Sequence, residues 1–274
     1  MMDSKNTDEP ATVSERRRLL GAIGSLGAAV VWGCGGSETG TTATSSTVST
    51  GATDTTSTTT TTGSAGAAGS AGSAGACAII PQETQGLYPL LAILSNAAMV
   101  RQDITEGKTG VPLTLRLKLV NVNGSCAPIA NAAVYVWHCD KDGVYSGYST
   151  STNGNTLGQT FLRGIQVSDT NGEVTFTTIY PGWYAGRITH VHFQIYLADN
   201  LQVTATATSQ IAFPLADTTA VYNSTLYVSR GQNTSVTSFA ADNVFSDGTT
   251  YQMAALTGDA ANGYTATLTV GIAA

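Results

Sequence analysis

"LTLRLKLVN", residues 113–121, alternates without a break: Leu113, Leu115, Leu117 and Leu119 fall on one side, Thr114, Arg116 and Lys118 on the other. A repeat of two is the side-chain period of a strand with one buried face, whereas a helix would scatter these leucines around its circumference. Segments of similar branched and aromatic content recur as "AAVYVWHC" (132–139), "EVTFTTIY" (173–180), "RITHVHFQIYL" (187–197), "TATSQIAF" (206–213) and "YTATLTVGI" (264–272). Asn-Gly turn signals stand at 153–154 and 171–172. Only "LYPLLAILSNAAMV" (87–100) reads as helical. Many short strands with so little helix predict an all-β fold, a two-sheet β-sandwich of immunoglobulin or prealbumin-like type, and exclude βαβ units.

That domain occupies residues 77–274. Ahead of it, "SERRRLLGAIGSLGAAVVWGC" sets Arg16, Arg17 and Arg18 before a short apolar run that ends at Cys34. It is too short and glycine-rich for a span of about 20 apolar residues. Residues 1–34 therefore read as an export signal of twin-arginine type, with Cys34 either a lipid-attachment site or adjacent to a simple cleavage point. Residues 35–76 are Thr/Ser and then Gly/Ala/Ser, without the apolar side chains that offset the entropy of ordering, and read as a disordered linker. The expected location is outside the cytoplasm: periplasmic, cell-surface or extracellular. With 11% charged residues and a net charge of −6, the chain lacks the basic footprint that nucleic acids require.

Cys77, Cys126 and Cys139 follow the signal. In an oxidising compartment two of them are expected to pair, and Cys126 with Cys139 is the favoured pair. None are spaced as Cys-x2-Cys, which argues against a structural zinc site.

The chain has three histidines, and two of them, His190 and His192, share one face of the 187–197 strand with Gln194 and Tyr196, while Val191, Phe193, Ile195 and Leu197 take the other. An isolated His-x-His is more often a solvated pair than a metal site. Here "TTIYPGWYAGR" lies immediately upstream and brings Tyr184 and Arg187 beside them, and "WHCDKDGVYSGYS" (137–149) adds Tyr145 and Tyr148.

These segments, followed by "FLRGIQVSDTNGEVTFTTIYPGWYAGRITHVHF" and then "ADNVFSDG" and "GYTATLTVGI", resemble the intradiol ring-cleavage dioxygenases, a family that includes catechol and protocatechuate dioxygenases. The resemblance covers about residues 77–272. It implies an Fe(III) cofactor on Tyr145, Tyr184, His190 and His192, with Tyr184 the tyrosinate that leaves when substrate binds and Tyr148 a neighbouring non-ligand. It implies further that Arg187 stabilises negative charge during ring cleavage, that Gln210 sits near the substrate, and that the substrates are a catechol and O2. Hard phenolate oxygens suit a trivalent ion, and two of them with a hydroxide would neutralise it. Leu87 departs from the family, where a proline commonly precedes the tyrosine. With few Lys and Arg to meet a carboxylate, catechol or a neutral substituted catechol is expected ahead of protocatechuate.

Two rival readings remain at this point. An exported binding or adhesion module could keep a vestigial site. Alternatively, His190 and His192 with His138 could hold zinc or copper in a hydrolase or electron carrier. His138 itself is expected to serve packing or hydrogen bonding, and Trp137 to wall the core or pocket.

Overall fold

The structure, a computed structural model, describes residues 77–274. The expected export signal of residues 1–34, with Cys34, and the expected linker of residues 35–76 lie outside the described residues. In chain order the strands are β1 (Pro112–Asn121), β2 (Ala127–Pro128), β3 (Ala133–Trp137), β4 (Ser149–Thr150), β5 (Gly154–Asn155), β6 (Arg163–Val167), β7 (Glu173–Ile179), β8 (His190–Tyr196), β9 (Ala207–Ala212), β10 (Ala255–Asp259) and β11 (Gly263–Ile272).

The first sheet is built around β1, which pairs in parallel with β11 along one edge and antiparallel with β7 and β2 along the other; β10 flanks β11. The second runs β6-β3-β8-β9, antiparallel throughout. As the alternation predicts, Leu113, Leu115, Leu117 and Leu119 are buried between the sheets against Val134, Val136, Val191, Phe193, Ile195 and Ile211. Burial of leucine-sized groups, worth about 1.5–3 kcal/mol each, fixes the register of β1, because a one-residue slip would send all four to solvent.

The second sheet is covered on its other face too. Ala133, Tyr135, Trp137 and Tyr196 project there into a second cluster with Tyr88, Ile93, Met99, Cys139 and Tyr145. All seven residues of β8 are buried for that reason, the polar alternates included. The cover comes partly from the segment before β1. The Glu83 N–H donates to the Thr208 carbonyl (2.8 Å), and the Thr208 N–H donates to Gln82 Oε1 (2.9 Å).

Three expectations need correction. The segment expected to be helical forms only two short 3-10 turns, Leu91–Ser95 and Ala97–Met99, tied down by packing on the second sheet. One α-helix, α1 (Leu215–Tyr222), was not foreseen. Its small, weakly patterned residues give little amphipathic signal, and it is anchored by Tyr222, whose hydroxyl bonds Thr189 and donates to the Pro181 carbonyl. The disulfide joins Cys77 to Cys126, with Cα atoms 5.6 Å apart, and Cys139 is a buried free thiol. β3 carries Cys139 away from the β1–β2 turn where Cys126 sits, so the favoured pair is separated by the length of a strand.

Candidate metal centre

β8 projects His190 and His192 from the covered face of the second sheet, and their Nε2 atoms stand 3.0 Å apart. Two imidazole nitrogens at that separation match adjacent ligands of one ion held at about 2.1 Å. His190 Nδ1 donates to the Ile188 carbonyl (2.6 Å), which fixes the tautomer and turns the Nε2 lone pair toward His192. Tyr145 closes the group, its hydroxyl 3.4 Å from His190 Nε2. Tyr184 packs edge-on to both Tyr145 and His190, with ring centroids 5.6 and 5.8 Å away.

Each element holds its side chain by identifiable bonds. Tyr145 belongs to the loop after β3, where Asp140 Oδ1 accepts from the N–H groups of Asp142 and Val144, and Asp140 Oδ2 takes the Lys108 ammonium at 2.9 Å. The Tyr145 peptide is gripped on both sides: Asn153 Oδ1 accepts its N–H (2.7 Å), and Asn153 Nδ2 and Thr156 Oγ1 donate to its carbonyl (2.8 and 2.7 Å). Tyr148 turns away and donates to the Pro89 carbonyl. Tyr184 follows β7 through Pro181-Gly182, and the loop lies directly on the Tyr145 loop because Gly182 has no Cβ to overlap the carbonyls of Asp140 and Lys141.

His192 is fixed by stacking. Its ring lies on the Trp137 indole at 4.8 Å and 3°. Gly86 presses from another side, at φ +72°, where an added Cβ would stand 2.8 Å from His192 Cε1. Both the left-handed backbone and the lack of space require glycine. Two residues on, Tyr88 stacks on Tyr145 at 4.7 Å.

Arg187, buried, donates from Nε to Asp242 Oδ2 (2.9 Å) and from Nη2 to Gln210 Oε1 (2.6 Å); Gln210 Nε2 in turn donates to the Thr84 carbonyl (3.0 Å). Asp242 Oδ2 also accepts the Ile188 N–H (2.8 Å), which ties the arginine anchor to the backbone leading into β8. Burial opposes ionisation of Asp242, but the bonds from Arg187 and the Ile188 amide outweigh it and hold the carboxyl below its ordinary range.

The electrostatics follow from dehydration. Burial pushes the Tyr184 phenol up to about 12, with Arg187 opposing, and raises Tyr145 well above its ordinary value. Burial likewise holds the His190 imidazole down to about 3, with Arg187 adding to it, and depresses His192 strongly, reinforced by His190 and by Arg187. The pocket therefore offers neutral imidazole lone pairs beside phenols that ionise only against a strong positive charge. That donor set fits a hard, highly charged ion.

His138 does not join it. Its Nδ1 meets the Cys139 carbonyl (2.8 Å) and its Nε2 the Thr178 hydroxyl (2.7 Å), so both ring nitrogens are engaged and the three-histidine arrangement has no third arm. Among the described residues, no group of three or more His, Cys, Asp or Glu could hold a metal; the cluster depends on tyrosines. The structure thus brings together Tyr145, Tyr184, His190, His192, Arg187 and Gln210. Asp242 and Asn153 were missed, although Asp242 lies in the noted "ADNVFSDG" and Asn153 in an Asn-Gly read only as a turn.

Residues 87–215 match the family described as "Dioxygenase". No match was found among curated protein sequences. Among solved structures, the chain is similar to an intradiol ring-cleavage dioxygenase from Tetranychus urticae, at 26% identity and a TM-score of 0.61 over 72% of this chain and 95% of that one. A second crystal structure, also a dioxygenase, matches at 27% identity and a TM-score of 0.59 over 72% of this chain and 94% of that one. Fold, motif order and these likenesses agree: residues 87–215 match the dioxygenase family model, and the described domain is similar to the intradiol ring-cleavage dioxygenases.

Proposed function

We propose that the chain is a non-haem Fe(III)-dependent dioxygenase that splits a catechol-type ring between its two oxygen-bearing carbons and incorporates both atoms of O2 to give a cis,cis-muconate-type diacid. The observation that carries this reading is the pair of imidazole nitrogens 3.0 Å apart, closed by two buried phenols and flanked by a buried arginine. Tyr145, Tyr184, His190 and His192 would hold the iron. When bound, it supplies a hard Lewis acid for the catechol oxygens and makes the ring reactive toward dioxygen.

The chain's own residues supply the rest. Tyr184, whose buried phenol is held up to about 12, is a strong base once ionised and suits removal of a proton from a catechol hydroxyl. Arg187, oriented by Asp242 and Gln210, places a fixed cation where negative charge develops on the ring. Trp137, Tyr88 and Gly86 wall the site and limit water. The substrate is read as catechol or a neutral substituted catechol, since both guanidinium groups beside the site, Arg163 and Arg187, are bonded to protein partners. The arginine-led apolar run ending at Cys34 and the Cys77–Cys126 disulfide support export.

The test is to load the purified protein with ferric iron, record its visible spectrum, and add catechol under air. A tyrosinate-to-iron band with about one iron per chain, oxygen uptake and a muconate-type product are expected. In Arg187→Ala the iron stays and turnover falls about 100-fold or more. A colourless, inactive protein would leave a binding module with a vestigial site.

A further inference from the structure

Of the four ion pairs among the described residues, two bring a cation to an enclosed carboxylate: Arg187 to Asp242, and Lys108 to Asp140, the acids being 0% and 8% exposed. The first flanks the metal centre. The second joins the loop that carries Tyr145 to the turn that carries Tyr184, because Asp140 acts on both. Its Oδ1 accepts the Asp142 and Val144 N–H groups (3.0 Å each), which shapes the chain up to Tyr145. Its main-chain carbonyl accepts the Gly143 N–H (3.0 Å) and, across to the Tyr184 turn, the Gly182 N–H (3.1 Å). The approach is close in both directions: a Cβ at Gly182 would overlap the Asp140 carbonyl, and one at Gly143, at φ +86°, the Trp183 carbonyl.

Lys108 ties this joint to the sheets. It stands four residues after Ile104, which is fully buried, donates its N–H to the Thr177 carbonyl of β7 (3.0 Å) and accepts the Leu162 N–H (2.7 Å) just ahead of β6. From there the Lys108 ammonium reaches Asp140 Oδ2 (2.9 Å) and lies 3.8 Å from the centre of the Phe161 ring. The Phe161 carbonyl accepts the Ser146 hydroxyl (2.7 Å), so Lys108 meets the loop both before and after Tyr145. Lys108 is 32% exposed, and an ion pair with one partner so open to water adds little to stability. Its place matters more than its strength. Tyr145 and Tyr184 stand outside the strands, so sheet register places the histidines and leaves the tyrosines to the contacts between these loops.

We infer that Lys108, acting through Asp140, is a positioning residue of the metal centre: the pair locks the two tyrosine-bearing loops together and so sets Tyr145 and Tyr184 at the spacing that closes the His190–His192 pair. This rests on the iron-dependent reading above. A donor group displaced by about 1 Å costs on the order of 100-fold in rate, so a tie of small worth to the fold can be of large worth to the site.

The test uses three variants of the full-length protein. Lys108→Met removes the cation, Asp140→Asn removes the anion while keeping an oxygen for the Asp142 and Val144 amides, and Lys108→Arg keeps the pair. In iron-free protein the near-ultraviolet circular dichroism of the buried tyrosines is expected to weaken in the first two and to return in Lys108→Arg. With ferric iron loaded, both neutral variants hold about one iron per chain with a displaced tyrosinate band, and kcat for catechol falls about tenfold or more while KM stays within about threefold. Lys108→Arg keeps the band and stays within about threefold in kcat, and the double neutral variant is no worse than either single one. Should Lys108→Met fail to melt cooperatively, Asp140→Asn carries the comparison. A lowered urea midpoint with dichroism, band and kcat unmoved would make the pair a structural tie only and overturn the inference, as would effects of the two substitutions that add. If the unaltered protein takes up iron with its visible band, a failure belongs to this inference alone; if it takes up none, the iron reading falls and this inference with it.

Discussion

Replacing His192 with alanine leaves the purified protein with less than about a tenth of the iron held by the unaltered chain, and no visible band. The expectation follows from how few donors converge. His190 and His192 supply the nitrogen pair, and His190 already spends Nδ1 on the Ile188 carbonyl, so no other imidazole can take the vacant place. His138 is held by Cys139 and Thr178. Tyr184→Phe behaves differently. Tyr145 and both histidines remain, so iron is retained while the band weakens and turnover slows. Iron analysis and a visible spectrum on the two variants decide the matter: unchanged iron and colour in both would remove these side chains from the ligand set.

Much of this site was legible because strand alternation is a local property. The repeat of two in residues 113–121 and 187–197 correctly sorts core-facing residues from those of the other face, and so places His190 and His192 together before any contact is known. Tyr145, Tyr184, Arg187 and Gln210 needed the order and spacing of several segments, which a motif can carry. What stayed hidden depends on contacts between segments distant in sequence. Asp242 reaches Arg187 from a loop after α1, and nothing in its own neighbourhood marks it as an anchor. Nothing in its own neighbourhood marks Arg163 as buried; the segment around Tyr88 and the Tyr145 loop cover that face and enclose it. Cysteine pairing failed for the same reason, since it depends on which turns meet rather than on which residues lie near in sequence. The packing of Tyr88 on Tyr145 and of Gly86 on His192 is likewise a property of the folded cover.

The iron-free protein loses stability steeply as pH falls from about 6.5 toward 4. All three histidines are buried and neutral in the fold: burial holds His138 down to about 4 and His190 to about 3, and depresses His192 well below the ordinary 6.5. The unfolded chain binds protons at these positions below pH 6.5, whereas the folded chain does not until the pH reaches the depressed values. Stability is therefore complete above the ordinary histidine value and falls as pH drops through the window. His138 alone accounts for about 3 kcal/mol between its two values. The lowered carboxylates, Asp242 among them, act below 3.8 and do not mask this window, while Glu83, raised mainly by burial, opposes it as a single group. Urea midpoints of the iron-free protein at pH 7 and pH 5 give the readout, and His138→Gln, which removes one proton site while keeping an amide toward Thr178, should flatten the slope by about one proton's share. Ferric loading should shift the onset to lower pH, because protons must then displace the metal to reach His190 and His192. A midpoint that does not move between pH 7 and pH 5 in the iron-free chain would mean that these histidines are hydrated in solution, and the enclosed centre described above would not be the one the protein forms.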